Sequence, residues 1–227
     1  MGAKITLKTK DDGSEFGAWR AAPDDARRGG LVVLHAIWGV TPHIRELCDE
    51  LAGQGYEAIA PDLLHRFGPG FPEVNIDPAM QALRSSYGEA AGWGADLMGE
   101  VQAAIDALEP PVFAMGFCFG GTVAWLAACR CEGLSAVSCF YGGGIADHRD
   151  ETPRRPTILH FGKTDPLIPL SEVEAIEAAH PDLPIWLYDA GHAFVAPGDN
   201  HRPDAARLAM LRTLQLFQRS AGPRAEA

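Results

Sequence analysis

A cysteine set among glycines is the residue of this sequence whose surroundings most clearly predict chemistry. Cys118 lies in the segment GFCFGG (116–121), directly after a short apolar run and directly before a helical pattern. A sharp strand-to-helix turn of this form needs small residues and raises its central side chain above a sheet. The start of the helix favours a thiolate there, because the helix dipole stabilises negative charge. The pattern predicts a nucleophile; the alternative is a buried structural cysteine.

An acid and a base follow at the ends of two later strand patterns. Asp165 comes after the apolar run 156–162, and His192 comes after the run 184–190. A carboxylate can orient an imidazole, and the imidazole can take the proton of a nucleophile. Alone, Asp165 could cap a turn and His192 could be a surface residue. With Cys118 they stand in the order nucleophile, acid, base of α/β-hydrolases, so we interpret the three as a catalytic triad.

The loop after an earlier strand, HAIWG (35–39), is expected to face the same turn. In a hydrolase of this kind, one oxyanion donor comes from this loop and the other from the residue after the nucleophile. These donors are the backbone N–H groups of Ile37 and Phe119, which are available whatever the side chains are. The side chain of His35 is expected to point away from Cys118, because alternate residues of a strand face opposite ways.

The elements that must position these residues alternate between apolar runs and helical patterns. Residues 4–9 and 15–20 predict an antiparallel hairpin, and residues 63–78 predict a loop. Buried strands are predicted at 31–36, 56–62, 112–116, 134–142, 156–162 and 184–190, and helices at 44–53, 79–91, 94–109, 120–130, 170–179 and 203–219. This alternation predicts an α/β fold with a mostly parallel central sheet and helices on both faces.

Length and charge narrow the classes of protein. The 227 residues predict a single domain over 1–219, followed by a flexible tail at 220–227. The net charge of −11 argues against binding to nucleic acid or to anionic membranes. No apolar stretch is long enough to span a membrane, and the start lacks the apolar core of a secretory signal. An odd number of cysteines, five, then favours a reduced cytoplasmic protein.

Metal and cofactor chemistry has no clear signal. Four of the histidines outside the predicted triad are scattered without ligand spacing: His43, His65, His180 and His201. We therefore expect no cofactor. A thiol nucleophile with an acid and a base suits a small-molecule ester or lactone and water as reaction partners. We also expect the protein to be a monomer.

The sequence resembles the dienelactone hydrolase family over nearly its whole length. The matching pieces, in order, are AIWGV (36–40), PDL (61–63) with Arg66, GFCFGG (116–121), YG (141–142), FG (161–162) with Asp165 and Pro169, and GHAF (191–194). The cysteine in the turn is the specific part, because most α/β-hydrolases carry serine there. The resemblance implies an α/β-hydrolase fold without a large cap, and hydrolysis of lactones or esters through a Cys-His-Asp triad.

Three positions depart from the family pattern. Ala36 stands where the family has a Glu that contacts the thiol, so we expect a thiolate–imidazolium pair at rest. Ala193 and Ala196 stand where members that act on dienelactone have a Ser and a carboxylate-binding Arg. The family's other carboxylate-binding Arg falls near Arg84. These departures predict altered substrate specificity, with dienelactone as a poor substrate.

The substrate pocket is the least determined part of the prediction. Its candidates, each of which could instead pack in the core, are Trp38, Arg66, Arg84, Tyr87, Trp93 and Phe194. A different hypothesis is that the protein binds a carbonyl compound without turnover, or senses oxidants through Cys118. The Ala at position 36 favours that alternative, whereas the complete triad favours a hydrolase.

Overall fold

In the computed structural model, which describes residues 1–67 and 93–222, the chain forms an eight-stranded sheet with helices between the strands. The strands are β1 (Ala3–Lys8), β2 (Glu15–Ala21), β3 (Gly29–Leu34), β4 (Tyr56–Pro61), β5 (Val112–Phe117), β6 (Leu134–Phe140), β7 (Thr157–Gly162) and β8 (Ile185–Tyr188). The helices are α1 (Pro42–Gly53), α2 (Ala95–Asp106), α3 (Phe119–Arg130), α4 (Leu170–Ala179) and α5 (Pro203–Ser220). Two 3-10 turns span His65–Phe67 and Gly143–His148.

The strand order is β1-β2-β4-β3-β5-β6-β7-β8. β1 and β2 form an antiparallel hairpin, and β2 also pairs antiparallel with β4. The six strands β3 to β8 are parallel to one another. This confirms the predicted fold class. In such a sheet the carboxyl ends of the parallel strands meet at one edge, and the loops there can bring distant residues together.

The centre of the sheet is buried on both faces. Every residue of β3, β4, β5 and β7 is buried, which explains why these segments are continuous apolar runs rather than alternating ones. Helix α3 is likewise buried from Phe119 to Cys129, because its small and apolar residues cover its whole circumference. The helix that follows the predicted nucleophile therefore lies in the core and is rigidly held.

Glycine is required where β5 turns into α3. A Cβ on Gly116 would lie 1.9 Å from the carbonyl oxygen of Gly120, and a Cβ on Gly120 would lie 2.1 Å from that of Leu34. Such contacts are shorter than atoms tolerate, so no larger residue fits without moving the backbone. The glycines permit α3 to approach both β5 and β3.

The observed elements differ from the predicted ones mainly at their ends. β3 ends at Leu34, two residues early, because its pairing with β5 stops at Gly116, just before the turn. The predicted loop begins with the 3-10 turn His65–Phe67, and α5 continues one residue into the predicted tail, to Ser220. The predicted helix 79–91, the rest of the loop and residues 223–227 lie outside the described residues.

None of the helices in residues 1–67 and 93–222 combines the length and the apolar character that crossing a membrane requires.

Candidate active site

Cys118 lies at the turn between β5 and α3, with φ 55° and ψ −116°. Its N–H donates to the carbonyl oxygen of Phe140 at 3.0 Å, which ties the turn to β6. Its own carbonyl accepts from the N–H groups of Gly121 and Thr122 at 2.8 and 3.2 Å, which begins the helix. The side chain is partly exposed, so the thiol sits at the start of a buried helix and remains accessible.

His192 and Asp165 are joined by a hydrogen bond across the edge of the sheet. Nδ1 of His192 donates to Oδ2 of Asp165 at 2.8 Å, and the carboxylate side chain is completely buried. The other carboxylate oxygen accepts the N–H of Leu167 at 2.9 Å, which fixes the orientation of the carboxylate. Because Nδ1 carries the proton in this bond, Nε2 is the nitrogen left to act on a nucleophile.

Nε2 of His192 is buried, and within residues 1–67 and 93–222 no group meets it with full hydrogen-bond geometry. Burial lowers the pKa of this imidazole, but hydrogen bonding to Asp165 and to Cys118, with their negative charges, outweighs burial and raises it to about 9. The Cys118 thiol is therefore near enough to His192 to influence its ionisation. At neutral pH the imidazole is therefore protonated.

The other cysteines have a different environment. Cys48, Cys129, Cys131 and Cys139 are all buried, and all five cysteines are free thiols. Burial raises the pKa of both Cys129 and Cys131 to about 12, and it raises that of Cys48 and Cys139 well above the ordinary value. Because the thiolate is the nucleophile, Cys118 is the cysteine suited to covalent chemistry.

The loop after β3 meets the start of α3, as the predicted oxyanion site requires. Nδ1 of His35 donates to the Ala36 carbonyl oxygen at 2.7 Å, and its Nε2 accepts the N–H of Leu63 at 3.1 Å. The His35 ring stacks on Phe119 with centroids 6.4 Å apart. His35 therefore connects the loop that carries Ile37 to Phe119, the residue after Cys118.

Tyr141 belongs to the site although the analysis of the sequence gave it no role. It follows β6 directly, and its ring packs edge-to-face on His192 with centroids 5.1 Å apart and an angle of 60°. A signal was present, since β6 lies between the strands that lead to Cys118 and Asp165. An aromatic residue at the carboxyl end of the intervening strand has to face that edge of the sheet.

The predicted pocket residues occupy different environments. Trp38, which follows Ile37, is 39% exposed. Trp93 stacks on Phe119, the residue after Cys118, with centroids 5.6 Å apart. The guanidinium of Arg66 pairs with Asp96 at 2.8 Å and with Glu100 at 3.0 Å.

Phe194 is fully buried and packs on Tyr141 and Tyr188 with centroids 5.5 and 5.0 Å apart. It supports the His192 loop and presents no surface to a substrate, which differs from its predicted role. Arg84 and Tyr87 lie outside the described residues.

The side chains of the site, Cys118, Asp165 and His192, are of the types that acid–base and nucleophilic chemistry use. In the part of the chain that the structure describes, no group of three or more His, Cys, Asp or Glu side chains could hold a metal ion.

The chain is similar to known proteins over most of its length. Residues 16–221 match the family described as the dienelactone hydrolase family. A carboxymethylenebutenolidase of a Pseudomonas sp. is 31% identical over 225 residues, covering 91% of this chain and 91% of that protein. A carboxymethylenebutenolidase of Pseudomonas putida is 32% identical over 223 residues, covering 91% and 92%.

A solved structure supports the fold independently. A dienelactone hydrolase-like promiscuous phosphotriesterase from metagenomic libraries superimposes with a TM-score of 0.75, covering 97% of this chain and 99% of that one. Their sequences are 23% identical, so this likeness concerns the α/β-hydrolase fold alone.

We predict that His192 titrates far above an ordinary histidine. Its imidazole should stay protonated at pH 7 and lose the proton near pH 9, measured by NMR of the ring nitrogens. Asp165→Asn and Cys118→Ala should each lower this midpoint, because each removes a group that favours the imidazolium.

His160 is the internal control for this titration. Burial, together with the charge of Arg212, lowers its pKa to about 3, so it should stay neutral throughout. A His192 midpoint at or below the ordinary value of about 6.5 would contradict the assigned geometry.

Proposed function

Because the chain belongs to the dienelactone hydrolase family and is a hydrolase of lactones or carboxylic esters, we propose that Cys118, His192 and Asp165 carry out the hydrolysis through an acyl-cysteine intermediate. The observation that carries the proposal is the His192–Asp165 hydrogen bond of 2.8 Å, with the second imidazole nitrogen buried beside the thiol. Nucleophile, base and orienting acid are thus within reach of one another.

In the first half of the reaction, the Cys118 sulfur attacks the carbonyl carbon of the ester or lactone. The carbonyl electron pair moves to oxygen and forms a tetrahedral oxyanion. We assign its stabilisation to the N–H groups of Ile37 and Phe119, since Phe119 directly follows Cys118 as the first residue of α3, and the start of a helix favours negative charge. When the intermediate collapses, the carbon–oxygen bond breaks, and Nε2–H of His192 protonates the leaving alkoxide.

In the second half, neutral His192 takes a proton from water, and the resulting hydroxide attacks the thioester. The second tetrahedral intermediate expels the Cys118 thiolate and releases the acid. Asp165 stays ionised throughout, and it holds the imidazole so that Nε2 faces the sulfur. The resting thiolate–imidazolium pair is restored, and the net change is addition of one water to the ester bond.

The surroundings of the triad favour an uncharged substrate. Trp38 and Trp93 present aromatic surface near the oxyanion loop, and Ala193 and Ala196 offer no charge on the His192 loop. Arg66 is occupied by two carboxylates, and the net charge of −11 repels anions at long range. We therefore propose neutral esters or lactones as the substrates, in preference to carboxylate-bearing ones such as dienelactone.

The hydrolytic mechanism is tested with p-nitrophenyl acetate. Wild-type protein should release p-nitrophenolate in a burst followed by steady turnover. Cys118→Ala should lose at least about a thousandfold in kcat, and Asp165→Asn should lose less than Cys118→Ala does. Cys129→Ala, at the far end of the same helix, is the matched control and should keep its kcat.

Two results would contradict this mechanism. Equal kcat in wild type and Cys118→Ala would remove Cys118 as the nucleophile. A burst without turnover would favour the alternative of a non-hydrolytic thiol protein.

The substrate class is tested with a pair of esters that differ in charge. We expect kcat/KM for p-nitrophenyl butyrate to exceed that for p-nitrophenyl hemisuccinate by at least about tenfold, because a buried carboxylate without a partner is penalised. Ala196→Arg should narrow that ratio, with Ala196→Gln as the uncharged control. Preference of the wild type for the anionic ester would overturn the proposed class.

A further inference from the structure

Backbone strain in this protein is concentrated at the candidate site. Of the residues at 1–67 and 93–222, the non-glycine ones with positive φ are Trp93 (50°), Cys118 (55°), Tyr141 (38°) and Ala193 (58°). Cys118 is the nucleophile, and Ala193 follows His192 directly. Trp93 stacks on Phe119. A bulky residue at positive φ is costly and persists only where its surroundings fix it, so the strain at Tyr141 calls for a reason.

Tyr141 is held in this conformation from several sides. Its N–H donates to the carbonyl oxygen of His160 at 2.8 Å, and its side chain is almost completely buried. Its ring packs on Phe117, Phe140 and Phe194 with centroids 6.3, 6.3 and 5.5 Å away. The position of the ring is therefore determined by the core and not by solvent.

The remaining contact of the ring is with His192, edge-to-face at 5.1 Å. Burial, with the charges of Cys118 and Asp165, raises the pKa of Tyr141 well above the ordinary value, so the phenol stays neutral. Those charges also show that Tyr141 lies near both of the groups that His192 must meet. Its neutral hydroxyl cannot serve as a base, and the ring is the part of the side chain that contacts His192.

We propose that Tyr141 is a positioning residue whose ring fixes the plane of the His192 imidazole. A hydrogen bond at Nδ1 alone allows the imidazole to pivot about that bond. The Tyr141 ring restricts the pivot, so that Nδ1 stays on Asp165 while Nε2 stays on Cys118. The effect of Tyr141 on kcat rests on the proposed function, whereas its effect on the orientation of the His192 ring does not.

The test compares variants that remove the ring with one that keeps it. Tyr141→Leu should lower kcat on p-nitrophenyl butyrate by about ten- to a hundredfold, with little change in KM, because misplacing a catalytic group slows the chemical step. Tyr141→Asn should behave likewise, and Asn tolerates positive φ, so its backbone is not strained further. Tyr141→Phe keeps the ring and should retain kcat.

An NMR readout makes the inference independent of catalysis. The proton in the hydrogen bond from His192 Nδ1 to Asp165 should give a downfield resonance in wild type and Tyr141→Phe. It should broaden or vanish in Tyr141→Leu and Tyr141→Asn. Tyr56→Leu removes a buried aromatic residue that packs on Phe113 and Phe217 away from the triad, and it should keep both kcat and the resonance.

The outcomes separate the two proposals. If the ring-less variants keep wild-type kcat and the resonance, Tyr141 does not position His192. If Tyr141→Phe loses as much kcat as Tyr141→Leu, the hydroxyl is the functional group and the inference is wrong. If wild type itself does not turn over esters, the proposed function fails, while the resonance still decides the role of Tyr141.

Discussion

The hydrogen bond between His192 and Asp165 is the interaction on which the arrangement of the candidate active site depends. Its 2.8 Å length, on a carboxylate with no solvent exposure, determines which imidazole nitrogen carries the proton and which one faces Cys118. It is also one of the two contacts, with that to Cys118, that outweigh burial and raise the pKa of the imidazole. The bond forms because β7 and β8 are parallel neighbours that end at the same edge of the sheet.

Close packing supplies the second constraint. The turn that carries Cys118 is possible because Gly116 and Gly120 allow α3 to lie against β5 and β3. The buried helix then holds the thiol in place. The His35 ring stacks on Phe119 and so packs the loop after β3 against the start of α3. The same packed residues therefore form the core and hold the site. Backbone strain at Cys118, Tyr141 and Ala193 is tolerated because the surrounding packing is rigid.

The sequence predicted the features that depend on local pattern. Continuous apolar runs indicated the buried parallel strands, and the glycines around Cys118 indicated the turn. The order of Cys118, Asp165 and His192 indicated a shared site. What it did not predict depends on tertiary contacts. Tyr141 was recognised only as part of the family pattern, and its contact with His192 arises from the packing of β6 beside β7. The burial of Phe194 likewise depends on a ring that is distant in sequence, that of Tyr141.

We propose that Cys118 carries the acyl group during hydrolysis. The most direct measurement is mass spectrometry of peptides from protein quenched with acid during steady turnover of p-nitrophenyl acetate. We expect an acetyl group on the peptide that contains Cys118, lost when the substrate is exhausted, and no acetylated peptide in Cys118→Ala. Acetylation of another residue with the same kinetics, or full turnover without any acetylated Cys118, would contradict this role of Cys118.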